Sequence, residues 1–255
     1  MVFMRNMIFL VFLIIGLFSS SAFPDLHSET IILSTPRSGV NLFSCSLLAI
    51  LRKPIGRYPN TIHQEGTARL SLDLISNTPF AYRTHNPRDV SSANRNFEKL
   101  ILITRNPKEL LFNRFEIKDI TDVTHNQNIE RYLREYFQRF EVFLNWPENK
   151  RMLILYEDMI GSLENYLIDA CKFIGEEKLF WDDFIMNKDF YLSQMREDYI
   201  SQHHDGRGAS SLGEPKPIFH TIKQDKDLLK QLDEHLREMD PKIWQLFLSR
   251  FAEQT

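Results

Sequence analysis

Glu29–Leu48, with the sequence ETIILSTPRSGVNLFSCSLL, contains the signals of a strand, a tight turn and a helix in immediate succession. Its first part, Thr30–Leu33, is a short apolar run rich in β-branched residues, which predicts a strand buried on both faces. Ser34–Gly39 has the composition of a turn, because Pro36 fixes one φ angle and Gly39 permits a close backbone approach. Apolar residues then recur at helical spacing. The stretch therefore predicts a strand–turn–helix unit.

The turn in this unit also has features of an anion-binding loop. A helix that begins directly after a strand directs several free N–H groups and the positive end of its dipole to one point. Arg37 adds a positive charge, and Ser38 and Asn41 add side-chain donors. The Gly-x-x-x-x-Gly-Lys-Ser/Thr spacing of a Walker A loop is absent. Two interpretations of the stretch alone stay open: a phosphate-binding loop similar to P-loops, or an ordinary strand–turn–helix with a surface arginine.

The whole chain has the composition of a globular protein. It has 255 residues and a formal net charge of -3, with 43% hydrophobic and 25% charged residues. That length suits one sizeable domain, which we expect to span residues 29–255. A net charge near zero implies no general affinity for nucleic acid, although it allows a local basic cleft.

Cysteine usage is sparse. Cys45 and Cys171 are the two cysteines of the sequence, which excludes a disulfide-rich scaffold, and neither has metal-ligand spacing. Both lie in helix-like runs, which favours buried free thiols. One bridge between them stays open, because the N-terminus indicates an oxidising compartment.

The N-terminus resembles a secretory signal peptide. Arg5 precedes the apolar run Met7–Phe18, and small residues follow at 19–22. The run is short for a membrane span, which needs about 20 apolar residues. We interpret residues 1–22 as a signal peptide, with an uncleaved signal anchor or a wrongly assigned start codon as alternatives. The expected location is the secretory pathway, lumenal or secreted, with membrane contact only through this segment.

Strand and helix patterns alternate along the rest of the chain. Further strands are predicted in the first half of Phe80–Pro87, at Lys99–Thr104 and at Arg151–Tyr156. Arg52–Thr67 is predicted to be a loop. Helices are predicted from Pro107 onward and at Asn128–Asn145, Ser162–Ile174, Asp225–Glu238 and Lys242–Phe251. This alternation predicts a single α/β domain with a parallel sheet covered by helices on both faces.

Charged side chains follow the predicted strands. Arg83 and His85 lie at the end of the second strand, and Arg105 lies between the third strand and the helix that begins at Pro107. In open α/β sheets, ligands bind at the carboxyl ends of the strands. We therefore expect these side chains to meet Arg37 at one edge, although a solvated histidine and an ion-paired arginine are the simpler interpretations.

A polar, glycine-rich stretch begins at His203 and His204 and continues to Gly213. Two adjacent histidines can suggest a metal site, but no further ligand spacing supports one. We interpret the stretch as a solvated loop able to act as a flexible flap, and we predict no metal site.

Four segments resemble the sulfotransferases that use 3′-phosphoadenosine 5′-phosphosulfate (PAPS). Thr35–Asn41 resembles their 5′-phosphosulfate loop, which usually reads Pro-Lys/Arg-Ser-Gly-Thr. Arg83–Pro87 is similar to their Lys-Thr-His-x-Pro segment, and Thr104–Glu109 to their Arg-Asn-Pro-Lys-Asp segment. Leu155–Met159, with Phe173–Gly175 downstream, also resembles the family. The segments occur in the family's order, each on the expected element.

The resemblance implies a P-loop-like fold and a role for each matching residue. The implied reaction moves a sulfuryl group from PAPS to a hydroxyl or amine without a metal. His85 would take the proton from the acceptor, and Arg37 and Arg83 would complete the catalytic set. Arg105 would bind the 3′-phosphate. The full implied set of nucleotide contacts is Arg37, Ser38, Gly39, Val40, Asn41, Arg105, Asn113, and the flap residues Arg207 and Gly208.

The sequence departs from the family pattern at several of these positions. Val40 and Asn41 replace hydroxyl residues, and Asn113 stands where the family has a serine on the 3′-phosphate. Arg37 and Arg83 stand where cytosolic members have lysine. Because arginine keeps its proton, these two residues would act as charge clamps and not as proton donors.

The resemblance leaves the acceptor and the oligomeric state open. A small-molecule or carbohydrate acceptor fits, and nucleic acid is not an expected partner. PAPS is made in the cytosol, so an exported enzyme needs delivery of the donor, as in a Golgi lumen. Two other function classes stay open: a catalytically inactive nucleotide- or glycan-binding module, and a P-loop kinase-like enzyme.

Overall fold

The computed structural model describes residues 30–58, 72–91, 97–115, 117–194 and 226–252, with Arg57, Asn113 and Arg114 described by their backbone alone. Within these residues, five parallel strands form one sheet in the order β2-β3-β1-β4-β5. The strands are β1 Thr30–Ser34, β2 Ile55–Arg57, β3 Ala81–Thr84, β4 Lys99–Thr104 and β5 Arg151–Leu155.

Helices connect the strands in the described part of the chain. They are α1 Val40–Leu51, α2 Pro87–Ser91, α3 Pro107–Phe115, α4 Ile120–Thr124, α5 Gln127–Asn145, α6 Tyr156–Gly161, α7 Leu163–Ile174, α8 Trp181–Met186, α9 at 188–194, α10 Lys226–Met239 and α11 Pro241–Ile243. The last helix continues through a π-helical turn, Trp244–Leu248, and a 3-10 turn, Ser249–Phe251.

The sheet has an apolar core on each face. Along β1, alternation sends Ile31 and Leu33 to one core and Ile32 to the other. The first core includes side chains of α3, α5 and α10, and the second includes side chains of α1 and α7. The predicted α/β fold, with a parallel sheet covered on both faces, is confirmed.

The strand order determines where a ligand can bind. β1 lies at the centre, between β3 and β4, with Leu33 paired to Thr84 and Ser34 paired to Ile103. The helix after β1 packs on one face of the sheet, whereas the helix after β4 packs on the other. Where the chain leaves two neighbouring strands toward opposite faces of the sheet, a crevice opens at the carboxyl ends of those strands. The three segments that follow β1, β3 and β4 therefore meet at one edge.

Several local predictions need correction. The predicted loop Arg52–Thr67 contains β2, a short edge strand whose signal is weakened by Gly56. A Cβ atom on Gly56 would lie 2.4 Å from Cδ1 of Tyr82, so the neighbouring ring requires glycine there. The strand predicted at Arg151–Tyr156 ends one residue early, because Tyr156 begins α6.

The two cysteines are free thiols, so the bridge that the sequence left open does not form. Cys171 is buried and Cys45 is half-buried. Burial raises the pKa of the Cys171 thiol to about 11. In the ranges that the structure describes, no helix has the length and apolarity that a membrane crossing needs. The predicted signal segment, residues 1–22, lies outside the described residues.

A buried lysine joins α3 to the C-terminal helices. The Lys108 side chain is 3% exposed, and its Nζ lies 2.7 Å from Oδ1 of Asp233 in α10. The same ammonium donates to the carbonyl of Phe251 at 3.1 Å. Burial raises the pKa of Asp233, although Lys108 acts in the opposite direction. The end of the chain is thus attached to the helix that follows β4.

We expect Asp233→Asn to lower the free energy of unfolding by about 3 kcal/mol, because it leaves the Lys108 ammonium buried without its counter-charge. Urea denaturation at pH 7 measures the loss. The exposed neighbour Glu234, changed to Gln, is the matched control and should cost less than about 0.5 kcal/mol. Equal losses for the two variants would contradict the assigned role of this ion pair.

Candidate active site

The loop between β1 and α1 is a compact turn attached to the neighbouring strand. The Thr35 N–H donates to the carbonyl of Ile103 in β4 at 3.0 Å. The Ser38 hydroxyl donates to the carbonyl of Thr35 at 2.7 Å, so it closes the loop. Arg37 and Gly39 have φ angles of 65° and 78°, in the left-handed region. Turns of this kind present backbone N–H groups on a concave side, which suits an anion. The Arg37 side chain is exposed at this turn.

Gly39 places the start of α1 against the next layer of the structure. It is the N-cap residue, and no side chain of its own caps the helix. The first N–H groups of a helix have no partner within it, so they are available to a ligand. A Cβ on Gly39 would lie 2.6 Å from Cδ2 of Tyr156 and 2.9 Å from Cε of Met159. Val40, which follows, is buried and can contribute only its backbone.

His85 follows β3 directly and contacts the end of β1. Its Nδ1 lies 2.9 Å from Oγ of Ser34 and 3.2 Å from the Ser34 carbonyl oxygen. A proton on Nδ1 that is donated to this carbonyl leaves the lone pair on Nε2. The His85 residue is exposed. The ring is therefore held through Nδ1 at the edge of the sheet.

Arg83 is linked to the first turn of α1. Its Nη1 donates to Oδ1 of Asn41 at 2.7 Å, and both side chains are half-buried. Since the amide oxygen accepts from the guanidinium, the amide nitrogen of Asn41 is the end that can donate elsewhere. The pair brings together two residues at which the sequence departs from the resembled family.

Arg105 is held in place by two neighbours. Its Nε and Nη2 both contact Oε2 of Glu109, whose side chain is 3% exposed. Its guanidinium lies 4.4 Å from the centroid of the Tyr156 ring. The ion pair considered from the sequence is therefore present, but arginine has five N–H donors and keeps others for an anion. The ring of Tyr156 connects Arg105 to Gly39, which packs against it.

Sequence reasoning missed three residues behind this edge. Glu157, just after Tyr156, accepts from the Asn106 N–H at 2.8 Å through Oε1. Its Oε2 is buried and has no hydrogen-bond partner among the described residues. Burial raises the pKa of the Glu157 carboxyl to about 7, in spite of the bond from Asn106. The helical pattern of Asn128–Asn145 gives no sign of a role for Tyr136 or Arg139, yet their side chains contact the backbone of Arg105 and His85.

The structure thus brings Arg83, His85 and Arg105 to the same edge as the loop. The side chain of Asn113 lies outside the described part, although its backbone is in α3. Arg207 and Gly208 also lie outside the described residues, as do His203 and His204. In the described part of the chain, no three His, Cys, Asp or Glu side chains are grouped so that they could hold a metal ion. The roles assigned from the resemblance stay predictions.

Comparisons with known proteins give a result for the fold only. No protein-family model matches the chain, and no curated protein matches its sequence. The structure of the mouse sulfotransferase SULT7A1, complexed with PAP, is similar to this chain with a TM-score of 0.55 and 13% identity. The similarity covers 88% of this chain and 87% of the mouse protein. This chain therefore has a sulfotransferase-like fold.

Two bacterial structures are also similar, at lower scores. The sulfotransferase domain of the Synechococcus PCC 7002 olefin synthase has a TM-score of 0.37 and 15% identity, over 58% of this chain and 73% of that domain. A sulfotransferase from Alicyclobacillus acidocaldarius has a TM-score of 0.39 and 13% identity, over 73% of this chain and 96% of that protein.

The raised pKa of Glu157 leads to a pH-dependent stability. The folded-state pKa is about 7 against an ordinary 4.5, so between these values the unfolded chain has lost a proton that the folded chain keeps. Stability from this group is therefore highest below pH 4.5 and falls as pH rises to 7, by about 3 kcal/mol in total. Glu157→Gln cannot ionise and should remove this loss.

The measurement is urea denaturation of wild type and Glu157→Gln at pH 5 and pH 8. We expect the variant to gain stability relative to wild type by about 2–3 kcal/mol between the two pH values. Exposed Glu148, changed to Gln, is the control for general charge effects. A difference between wild type and Glu157→Gln that is the same at both pH values would show that Glu157 does not titrate in this range.

Proposed function

We propose that this chain, which has a sulfotransferase-like fold, transfers a sulfuryl group from PAPS to a hydroxyl or amine acceptor. The observation that carries the proposal is the contact of His85 with Ser34, at 2.9 Å, at the base of the loop between β1 and α1. This contact supports the proposal because it brings the imidazole that we propose as base next to the turn that we propose binds the phosphosulfate. The PAP bound in the mouse structure supports the choice of nucleotide.

His85 acts as the general base in the proposed reaction. Its Nε2 takes the acceptor proton as the acceptor oxygen or nitrogen forms a bond to sulfur. The bond between sulfur and the bridging phosphate oxygen breaks, and that oxygen keeps the electron pair. General-base help of this kind contributes about 10²–10⁴-fold to the rate.

Positive charge and N–H groups stabilise the leaving oxygen. Arg37, Arg83 and the first N–H groups of α1 are the donors for the phosphosulfate, and each well-aimed donor contributes about 3 kcal/mol to the transition state. Asn41 holds Arg83 through its amide oxygen, which limits the positions available to the guanidinium. Because both residues are arginines, they stabilise charge without giving up a proton.

Arg105 binds the 3′-phosphate of the nucleotide in this proposal. Its guanidinium is ordered by Glu109 and by the Tyr156 ring, so little side-chain freedom is lost on binding. Asn113 and the flap residues Arg207 and Gly208 complete the proposed nucleotide contacts. The signal-like residues 1–22 lead us to place the enzyme in a secretory lumen, where a carbohydrate or small-molecule acceptor is accessible and PAPS must be delivered.

Substitution of His85 tests the chemistry. We expect His85→Ala to lower sulfuryl transfer from radiolabelled PAPS to p-nitrophenol or unsulfated chondroitin by about 10²-fold or more, because the base is removed. The dissociation constant for PAP, measured by calorimetry, should stay within twofold of wild type. The exposed His125, which follows α4 and precedes α5, provides the control variant His125→Ala. Full activity of His85→Ala would remove His85 from the mechanism.

Substitution of Arg105 tests the nucleotide site. We expect Arg105→Ala to raise the dissociation constant of PAP by about 10–100-fold, because hydrogen bonds to a charged group are lost. The dissociation constant of adenosine 5′-phosphate, which has no 3′-phosphate, should change much less. Arg134→Ala, at an exposed arginine paired with Glu130, is the charge-matched control.

Equal losses for the two nucleotides would refute the role of Arg105. Arg105→Lys, which keeps a charge beside Glu109, provides a second variant if the alanine variant unfolds. Wild-type binding of PAP without transfer to any acceptor would favour the inactive binding module, and binding of Mg-ATP in preference to PAP would favour a kinase-like enzyme.

A further inference from the structure

Helix α5 carries two polar side chains in the middle of an aromatic face. Tyr136 is 0% exposed and Arg139 is 2% exposed, and around them lie Phe137, Phe140 and Phe143. Residues three apart in a helix lie on the same face. A buried guanidinium or phenol is costly unless hydrogen bonds replace those to water. The atoms that these two groups contact therefore indicate why they are present.

Both side chains contact backbone carbonyls of proposed site residues. The Tyr136 hydroxyl donates to the carbonyl of Arg105 at 2.9 Å. Arg139 donates to the carbonyl of His85 from Nε at 3.0 Å and from Nη2 at 2.6 Å. One helix thus contacts the residue proposed as base and the residue proposed to bind the 3′-phosphate.

The two carbonyls share a structural position. β3 ends at Thr84 and β4 ends at Thr104, so His85 and Arg105 are each the first residue after a strand. At these points the regular ladder of the sheet no longer orients the backbone. At both strands, a side-chain donor from α5 orients the backbone instead. The same arrangement at two separate strands argues against an incidental contact.

We infer that α5 is a positioning helix for the active site, in which Arg139 orients His85 and Tyr136 orients Arg105. This inference rests on the proposed function for the roles of His85 and Arg105. His85 is then held at two points, its carbonyl by Arg139 and its Nδ1 by Ser34. Two such anchors fix the direction of Nε2. Since β1 lies between β3 and β4, a rigid helix that contacts both junctions also fixes their separation.

The nearby charge on α5 does not account for the burial of Arg139. Its Nη2 lies 3.8 Å from Oε2 of Glu135, one turn earlier, but the Glu135 side chain is 44% exposed. Ion pairs of exposed carboxylates contribute little. The short bond to the His85 carbonyl is the stronger interaction, since a charged donor is used.

Two conservative substitutions separate the roles. Arg139→Lys keeps a charge but loses the planar pair of donors, so His85 is oriented less well. We expect it to lower the turnover rate of sulfuryl transfer, measured as PAP formed at saturating PAPS, by about 10–100-fold. The acceptor is p-nitrophenol or chondroitin. Its dissociation constant for PAP should stay within twofold of wild type. That unchanged affinity also shows that the variant is folded.

Tyr136→Phe should change the affinity for PAP and not the turnover rate. Without the hydroxyl, Arg105 is oriented less well, so the dissociation constant of PAP should rise about tenfold. The dissociation constant of adenosine 5′-phosphate and the rate constant at saturating PAPS should stay within twofold of wild type. Tyr132→Phe is the matched control, because Tyr132 lies one turn earlier in α5 and packs edge-on against Phe115. It should leave all three quantities unchanged.

A ligand-free measurement makes the test independent of activity. The long-range ¹⁵N–¹H NMR spectrum of the His85 ring reports which nitrogen carries the proton. We expect Arg139→Lys to change the tautomer populations of His85, and Tyr136→Phe and Tyr132→Phe to leave them as in wild type. If Arg139→Lys does not fold, Arg139→Gln is measured in the same way.

The outcomes distinguish the inference from the proposed function. A wild type that binds no PAP and transfers no sulfuryl group refutes the proposed function, and the His85 spectrum then decides whether Arg139 positions the ring. Parallel losses of affinity and rate in both α5 variants would indicate a merely structural helix and overturn the inference. A Tyr136→Phe variant that matches Tyr132→Phe, or an unchanged His85 spectrum in Arg139→Lys, would also overturn it.

Discussion

The contact between Gly39 and the ring of Tyr156 is the constraint on which the candidate site depends. Position 39 has a φ angle of 78°, and a Cβ there would lie 2.6 Å from the ring. The loop after β1 can therefore pack against α6 only with glycine at this position. The same ring supports the guanidinium of Arg105 at 4.4 Å. The Tyr156 ring thus lies between the loop and the arginine that we propose binds phosphate. Because the ring is rigid, it keeps the distance between them constant.

A second constraint comes from the parallel sheet. Because β1 is central, the residues that follow β3 and β4 lie on either side of its loop, close enough for direct hydrogen bonds. Ser34 reaches His85 on one side, and Thr35 donates its N–H to Ile103 on the other. An antiparallel arrangement would place these junctions at opposite edges, so the direction of the strands is a requirement of the site.

Much of the fold could be predicted from the sequence, because the central strands have strong local patterns. Lys99–Thr104 is apolar, short and followed by Pro107, and the structure has a strand with these bounds. β2 could not be predicted, since three residues that include Gly56 give no periodicity. Residues of the candidate site could be predicted only where the side chain itself has a chemical role in the proposed reaction, as for His85 and Arg105. Tyr136 and Arg139 act on backbone carbonyls, and carbonyls are the same at every position of a sequence.

The pairing of Arg83 with Asn41 shows what a residue-by-residue comparison leaves out. Each is a departure from the pattern of the family that the sequence resembles. In the structure they form one hydrogen bond of 2.7 Å, which needs a long, planar donor at 83 and an amide oxygen at 41. A hydroxyl residue at 41 would be shorter, and a lysine at 83 would offer a single, freely rotating donor group. The two departures are therefore consistent with one another, and the position that they give the guanidinium is fixed before any ligand binds.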